Sequence, residues 1–174
     1  MRIPGPIRHQ LRWDTPDAPD WVWEPSGAWY VHLECIIDCM CRADAEFCKR
    51  WQGLGNPPVD FNVQMGSVDE TGHGACGKTD SEGGGGSGSV TITIDRVKPS
   101  KGCTSTSATV AHESKHAGDY QEDLEAGGEP GKSSEEDADK EEARVMAGPA
   151  GDCEEHCEKL RPPVNLPFPS SPLY

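Results

Sequence analysis

Two cysteine pairs constrain this chain more than anything else in it. Cys35 and Cys39, and again Cys153 and Cys157, recur as C-x-x-x-C far apart in a chain of 174 residues. Positions four apart lie on one face of a helix. A bridge inside either pair would be strained, because a helix holds those Cβ atoms too far apart. The expectation is therefore two antiparallel helices stitched by two disulfides, with Cys35 and Cys39 joined to Cys157 and Cys153. The other cysteines, Cys41, Cys48, Cys76 and Cys103, are expected to form two further bridges, their pairing open. A zinc cluster on Cys35, Cys39, Cys41 and Cys48 is the rival, but four-cysteine sites usually show C-x-x-C knuckles and this chain has none.

Eight cysteines suit an oxidising compartment. The opening residues, MRIPGPIRHQL, carry positive charge without the apolar stretch of a secretory signal. The two facts agree if this is a mature or excised domain of an exported protein, extracellular or periplasmic. Staples also fit a thin core: only 34% of the residues are apolar, and Gly 20 and Pro 15 imply long irregular connections. The size suits one domain. The expected division is a Pro/Trp-rich segment over 1–28, a folded domain over 29–161 and a Pro-rich tail over 162–174. Trp13, Trp21, Trp23 and Trp29 all fall early, so the opening segment is expected to pack. The net charge of -14 argues against a nucleic-acid or anionic-membrane partner. No apolar run reaches bilayer length, so no membrane span is expected. Acidic residues cluster from Glu122 to Glu142, where they could steer a basic substrate.

The periodicity predicts an α+β domain, an active-site helix beside a short sheet, with stapled helices. Trp29, Leu33, Ile36, Ile37 and Met40 recur at helical spacing, and Phe47 and Trp51 continue it after a break, until Gly53, Gly55, Pro57 and Pro58 end it. Phe61, Val63 and Met65 alternate as a short strand. Ser81–Ser89, rich in glycine, reads as a mobile hairpin or flap. Val90–Ile94 alternates strictly and is the clearest strand. A helix is expected from near Ser107 to about Leu124. Another follows Ser133 or Ser134 as N-cap and runs to Met146, and a short one carries Cys153 and Cys157.

The chemistry concentrates in His112-Glu113-Ser114-Lys115-His116, an H-E-x-x-H sequence on the helix expected after the strand. Imidazoles one turn apart can converge on one Zn²⁺, and the intervening Glu113 can act as general base toward a metal-activated water. The polar Ser114 and Lys115 suggest a helix less buried than is usual for such a site. His9, His32, His73 and His156 show no partner spacing and read as surface or packing residues; His73, flanked by Gly72 and Gly74, is the one to recheck.

The strand and H-E-x-x-H helix resemble the zincin metallopeptidases over roughly Val90 to Ala147, and Thr109-Val110-Ala111 fits the apolar lead-in common there. In size the chain looks like the compact zincin-like domains of bacterial toxins and effectors. That resemblance implies a protein or peptide substrate and admits an inhibitor or immunity protein as partner. It also implies a third zinc ligand. The metzincin pattern fails, since positions 119 and 122 hold Asp and Glu. Glu135-Glu136-Asp137-Ala138-Asp139 resembles the E-x-x-A-D element of some gluzincins, which maps the ligand onto Glu135 and a supporting role for a ligand histidine onto Asp139. Glu136, Glu142 and Asp119 stay open as alternatives. Tyr120, one turn after His116, is the candidate oxyanion donor. By the same likeness Val90–Ile94 would be the edge strand that binds substrate, with the glycine-rich segment as flap.

The resulting expectation is a zinc metallopeptidase: His112, His116 and Glu135 on the metal, Glu113 and Tyr120 catalytic. The alternative is a non-catalytic, disulfide-rich exported domain that binds a protein. A peptidoglycan peptide is a further substrate class the sequence does not separate.

Overall fold

The structure, a computed structural model, describes residues 23–66, 68, 76–95, 105–131 and 133–159. The expected packing of Trp13 and Trp21, the proline-rich tail, His9, His73 and Cys103 lie outside them. Within them the chain is α+β. Helix α1 spans Trp23–Ala43, starting ahead of the expected Trp29, and α2 spans Ala45–Gly53. Strands β1 (Val59–Gly66), β2 (Gly77–Gly84) and β3 (Ser87–Asp95) follow. Then come α3 (Thr106–Glu125), α4 (Glu135–Met146), a 3-10 turn over Pro149–Asp152 and α5 (Cys153–Lys159). No described helix is long and apolar enough to cross a membrane.

The stripe expected on α1 is the core: Leu33, Ile36, Ile37 and Met40 are fully buried. Asp44 breaks the helix and caps the next, its side chain accepting from the Phe47 N–H at 2.8 Å. This N-cap satisfies an orphan helical donor and turns Phe47 and Trp51 inward. Trp51 stacks on Phe47 at 5.9 Å between ring centroids and meets Phe61 of β1 edge-on at 5.5 Å. Val59, Phe61 and Val63 of β1 and Val90, Ile92 and Ile94 of β3 supply the sheet's buried face.

The sheet order is β1-β3-β2, with β3 parallel to β1 and antiparallel to β2. This corrects one expectation. Val90–Ile94 is the central strand, with neighbours on both sides, so it cannot take up a substrate strand; β1 and β2 are the edges. The glycine-rich segment is a hairpin, one of the two forms expected of it, with Ser81 paired to Val90 and Gly84 to Ser87. Gly85 and Gly86 form the two-residue turn with φ of 65° and 94°, a conformation such turns require and side chains resist.

The stitching of α1 to α5 is the expected one. Cys35 joins Cys157 and Cys39 joins Cys153, at Cα separations of 6.0 and 5.6 Å. Cys76 is also disulfide-bonded. Cys41 and Cys48 depart from expectation and are free. They flank the α1–α2 corner and hydrogen-bond to one another as thiols, and burial together with that contact pushes Cys41 up.

Candidate metal centre

Helix α3 enters the site from a doubly held N-terminus. Ser105 caps it, accepting from the Ala108 N–H at 3.3 Å, and a Glu154 carboxylate oxygen on α5 accepts from Ser105 Oγ and the Thr106 N–H, both at 2.6 Å. A carboxylate there also complements the helix dipole. The helix is more buried than its polar motif suggests. Ser114 is fully buried, and its hydroxyl returns to the helix by donating to the Ala111 carbonyl at 2.8 Å, so burial strands no polar group. Lys115 pairs along the helix with Asp119.

His112 and His116 meet as their spacing requires, with Nε2 atoms 3.2 Å apart. Helix α4 packs along α3 and brings Glu135, in its first turn, to both: Oε2 lies 3.3 Å from His112 Nε2 and Oε1 3.4 Å from His116 Nε2. Zinc bonds of about 2.0–2.1 Å in a tetrahedron place neighbouring donor atoms about 3.3–3.4 Å apart. The imidazole separation of 3.2 Å is close to that edge length, and Glu135 meets the two rings at 3.3 and 3.4 Å through different oxygens of its carboxylate, one donor atom from each of the three residues lying within 4.8 Å of the others. Glu135 is 79% exposed, so the convergence point opens to solvent and leaves room for a fourth ligand.

The other candidates for third ligand are engaged elsewhere. Asp119 accepts from Lys115 and, at 2.7 Å, from Ser133 Oγ. Glu136 pairs with Lys140 at 2.7 Å. Glu142 faces the far side of His112, where its carboxylate and that of Asp139 lie 3.4 and 3.3 Å from Nδ1. Residues 135, 139 and 142 follow helical spacing, so one face of α4 addresses both nitrogens of one imidazole. Such carboxylates fix the tautomer and raise the basicity of a ligand histidine. His116 has no counterpart: its Nδ1 is buried without a hydrogen-bond partner among the described residues. Burial is also the main cause that holds its pKa below the usual histidine range.

Glu113 is buried under the edge strand. Thr79 Oγ1 on β2 donates to its Oε2 at 2.7 Å. Gly77 makes the approach possible: a Cβ there would fall 2.7 Å from Thr109 Cγ2 and 2.8 Å from Glu113 Cγ. Burial pushes the Glu113 carboxyl up to about 7, with the Glu135 and Asp80 carboxylates adding to the rise; the Thr79 hydrogen bond and His112 oppose it. Tyr120 belongs to the same neighbourhood. Its phenol is pushed above the usual range by burial first, then by Glu135, Asp80 and Glu113, while a hydrogen bond with the Ser133 backbone pulls the other way.

Sequence reasoning did not find Gly77 or Thr79. Nothing near them signals a site, because their role follows from a strand pairing encoded by glycines. No family model matches the chain, and no curated protein or solved structure is significantly similar to it.

Proposed function

We propose that this chain is a zinc-dependent metallopeptidase that cuts a peptide or related amide bond in a protein or peptide substrate. The observation that carries the reading is the convergence of His112, His116 and Glu135, with one donor atom from each within 4.8 Å of the others and the two Nε2 atoms 3.2 Å apart. A set of two imidazoles and one carboxylate suits zinc and leaves a position open for chemistry. When bound, zinc supplies Lewis-acid polarisation and brings the pKa of a coordinated water toward neutrality.

The chain's own groups supply the rest. Glu113 takes the proton of the attacking water and returns it to the leaving amine. Burial, which raises the pKa of its carboxyl, makes it a stronger base than an exposed carboxylate. Thr79 holds that carboxylate in one orientation. Tyr120 is the donor available to the developing oxyanion. The edge strand β2 carries Thr79 and offers backbone groups to an extended substrate by strand addition. The disulfides support a setting outside the reducing cytosol, as for an exported toxin or effector domain.

The test combines zinc content with turnover of a peptide library. The native chain should hold a zinc equivalent that His112→Ala removes. Glu113→Ala should keep the zinc and lose turnover by at least about 10²–10⁴-fold. A native chain that takes up no zinc on reconstitution, or a Glu113→Ala variant that still turns over, overturns the reading.

A further inference from the structure

We propose a second divalent-metal site, structural rather than catalytic, formed by His32 of α1 with Glu154 and Glu158 of α5. One donor atom from each of the three lies within 4.8 Å of the others. The sequence gives His32 no partner, because its partners stand more than a hundred positions away, and the disulfides bring them together. Cys35 and Cys39 fix α1 against Cys157 and Cys153 of α5. His32 precedes Cys35 by three positions and so shares its face, while Glu154 and Glu158 each follow a bridged cysteine and lie one turn apart. Two covalent ties therefore hold the register that makes the three groups converge.

The donor chemistry favours a transition ion over calcium or magnesium, which prefer all-oxygen shells. Glu154 Oε2 already accepts from Ser105 Oγ and the Thr106 N–H at the start of α3. A carboxylate has about four lone-pair sites, so accepting these bonds does not prevent it from binding a metal. His32 and Glu154 are half-buried, so an ion there would be partly shielded from solvent. Among the described residues, Lys159 next to Glu158 pairs with Glu155 at 2.6 Å. A metal at this position would tie α1 and α5 to the N-terminus of α3, about 9 Å along that helix from His112. It would brace the catalytic helix without entering the reaction.

The experiment loads the non-reduced full chain with Zn²⁺, removes loose metal by gel filtration and counts bound zinc per chain by elemental analysis. The expected result is two equivalents in the native chain. One should remain in His116→Ala, and one in each of His32→Ala and Glu158→Gln. Circular dichroism and thiol counting on the same samples establish that the variants are folded and bridged. For His116→Ala, added zinc should also raise the melting temperature, because an ion that binds only the native state stabilises it. If His32 merely forms ion pairs with these carboxylates, His32→Ala and Glu158→Gln will bind as much zinc as the native chain, and the proposal is overturned. Failure of the metallopeptidase reading looks different: His116→Ala then changes nothing, while the His32 and Glu158 variants still lose their equivalent.

Discussion

His112 is held through both ring nitrogens by a single helix, and this redundancy governs what substitutions there should do. Asp139 and Glu142 both address Nδ1, so either carboxylate can fix the tautomer when the other is absent. Asp139→Asn or Glu142→Gln alone should leave zinc affinity within a few-fold of the native value. Together they should weaken it about 10–100-fold, the usual cost of removing a ligand's supporting hydrogen bond. Competition with a chromogenic chelator measures this, and additive single effects would show that the two do not substitute for each other. Glu113 has no such reserve, since Thr79 is its one side-chain hydrogen-bond donor among the described residues. A hydrogen bond to a charged group is worth about 1.5–3 kcal/mol. Thr79→Val should therefore lower kcat roughly 10-fold or more while zinc content stays unchanged. Unaltered kcat would mean that packing alone positions the carboxylate.

At the level of elements, the site depends on how α2, α4 and the edge strand are fixed to α3. Helix α4 is tied to the α1–α2 corner by ions: Arg144 donates to Asp44 at 2.8 Å and to Glu141 at 2.7 Å, and Arg50 donates to Glu141. Burial works against ionising Asp44 and Glu141, but hydrogen bonds outweigh it, from the Phe47 N–H and Arg144 for the first and from Arg144 and Arg50 for the second. Both folded pKa values lie below the unfolded ones. Their stabilisation is thus fully present above about pH 4–4.5 and is lost as pH falls through the folded values. Urea unfolding between pH 3 and 6 should show that acid limb, and Arg144→Ala should flatten it. An equally steep limb in the variant would assign it to other carboxylates. Gly77→Ala tests the strand instead, because its Cβ would collide with Glu113 Cγ; overpacking of this kind costs about 1–3 kcal/mol and should displace the Glu113 carboxylate. The helices were legible in the sequence because caps and apolar spacing are local: Ser134 opens α4 and Asp44 breaks α1 from α2 where the pattern does. The strand positions were not. The likeness to zincins makes Val90–Ile94 an edge strand, yet its place in the centre comes from β2, whose glycines carry no alternation to read.

For the whole molecule the two α1–α5 bridges decide whether a thin core suffices. They span sequence separations of 122 and 114, so each closes nearly the entire described chain. Closing a loop of this length removes denatured-state entropy worth roughly 4–5 kcal/mol, comparable to the whole stability of a marginal domain. The bridges are not independent, however. Once Cys35–Cys157 is closed, Cys39–Cys153 ties residues one helical turn further along each partner, and the remaining loop is short. Double removal should thus cost much more than either single loss. Cys39→Ser with Cys153→Ser should lower stability by about 2 kcal/mol and leave a folded chain, whereas replacing all four cysteines should unfold it near body temperature. Denaturant unfolding of these two variants and of Cys35→Ser with Cys157→Ser, without reductant, measures the coupling. Equal effects of single and double removal would mean that native-state packing between α1 and α5, rather than loop closure, is what the sulfurs hold. The same comparison bears on the metal chemistry, since Glu154 joins this stapled pair to the first turn of α3. A single-bridge variant that stays folded should keep the zinc bound through His112 and His116, and a chain lacking both bridges should lose it as the helix loses its anchor.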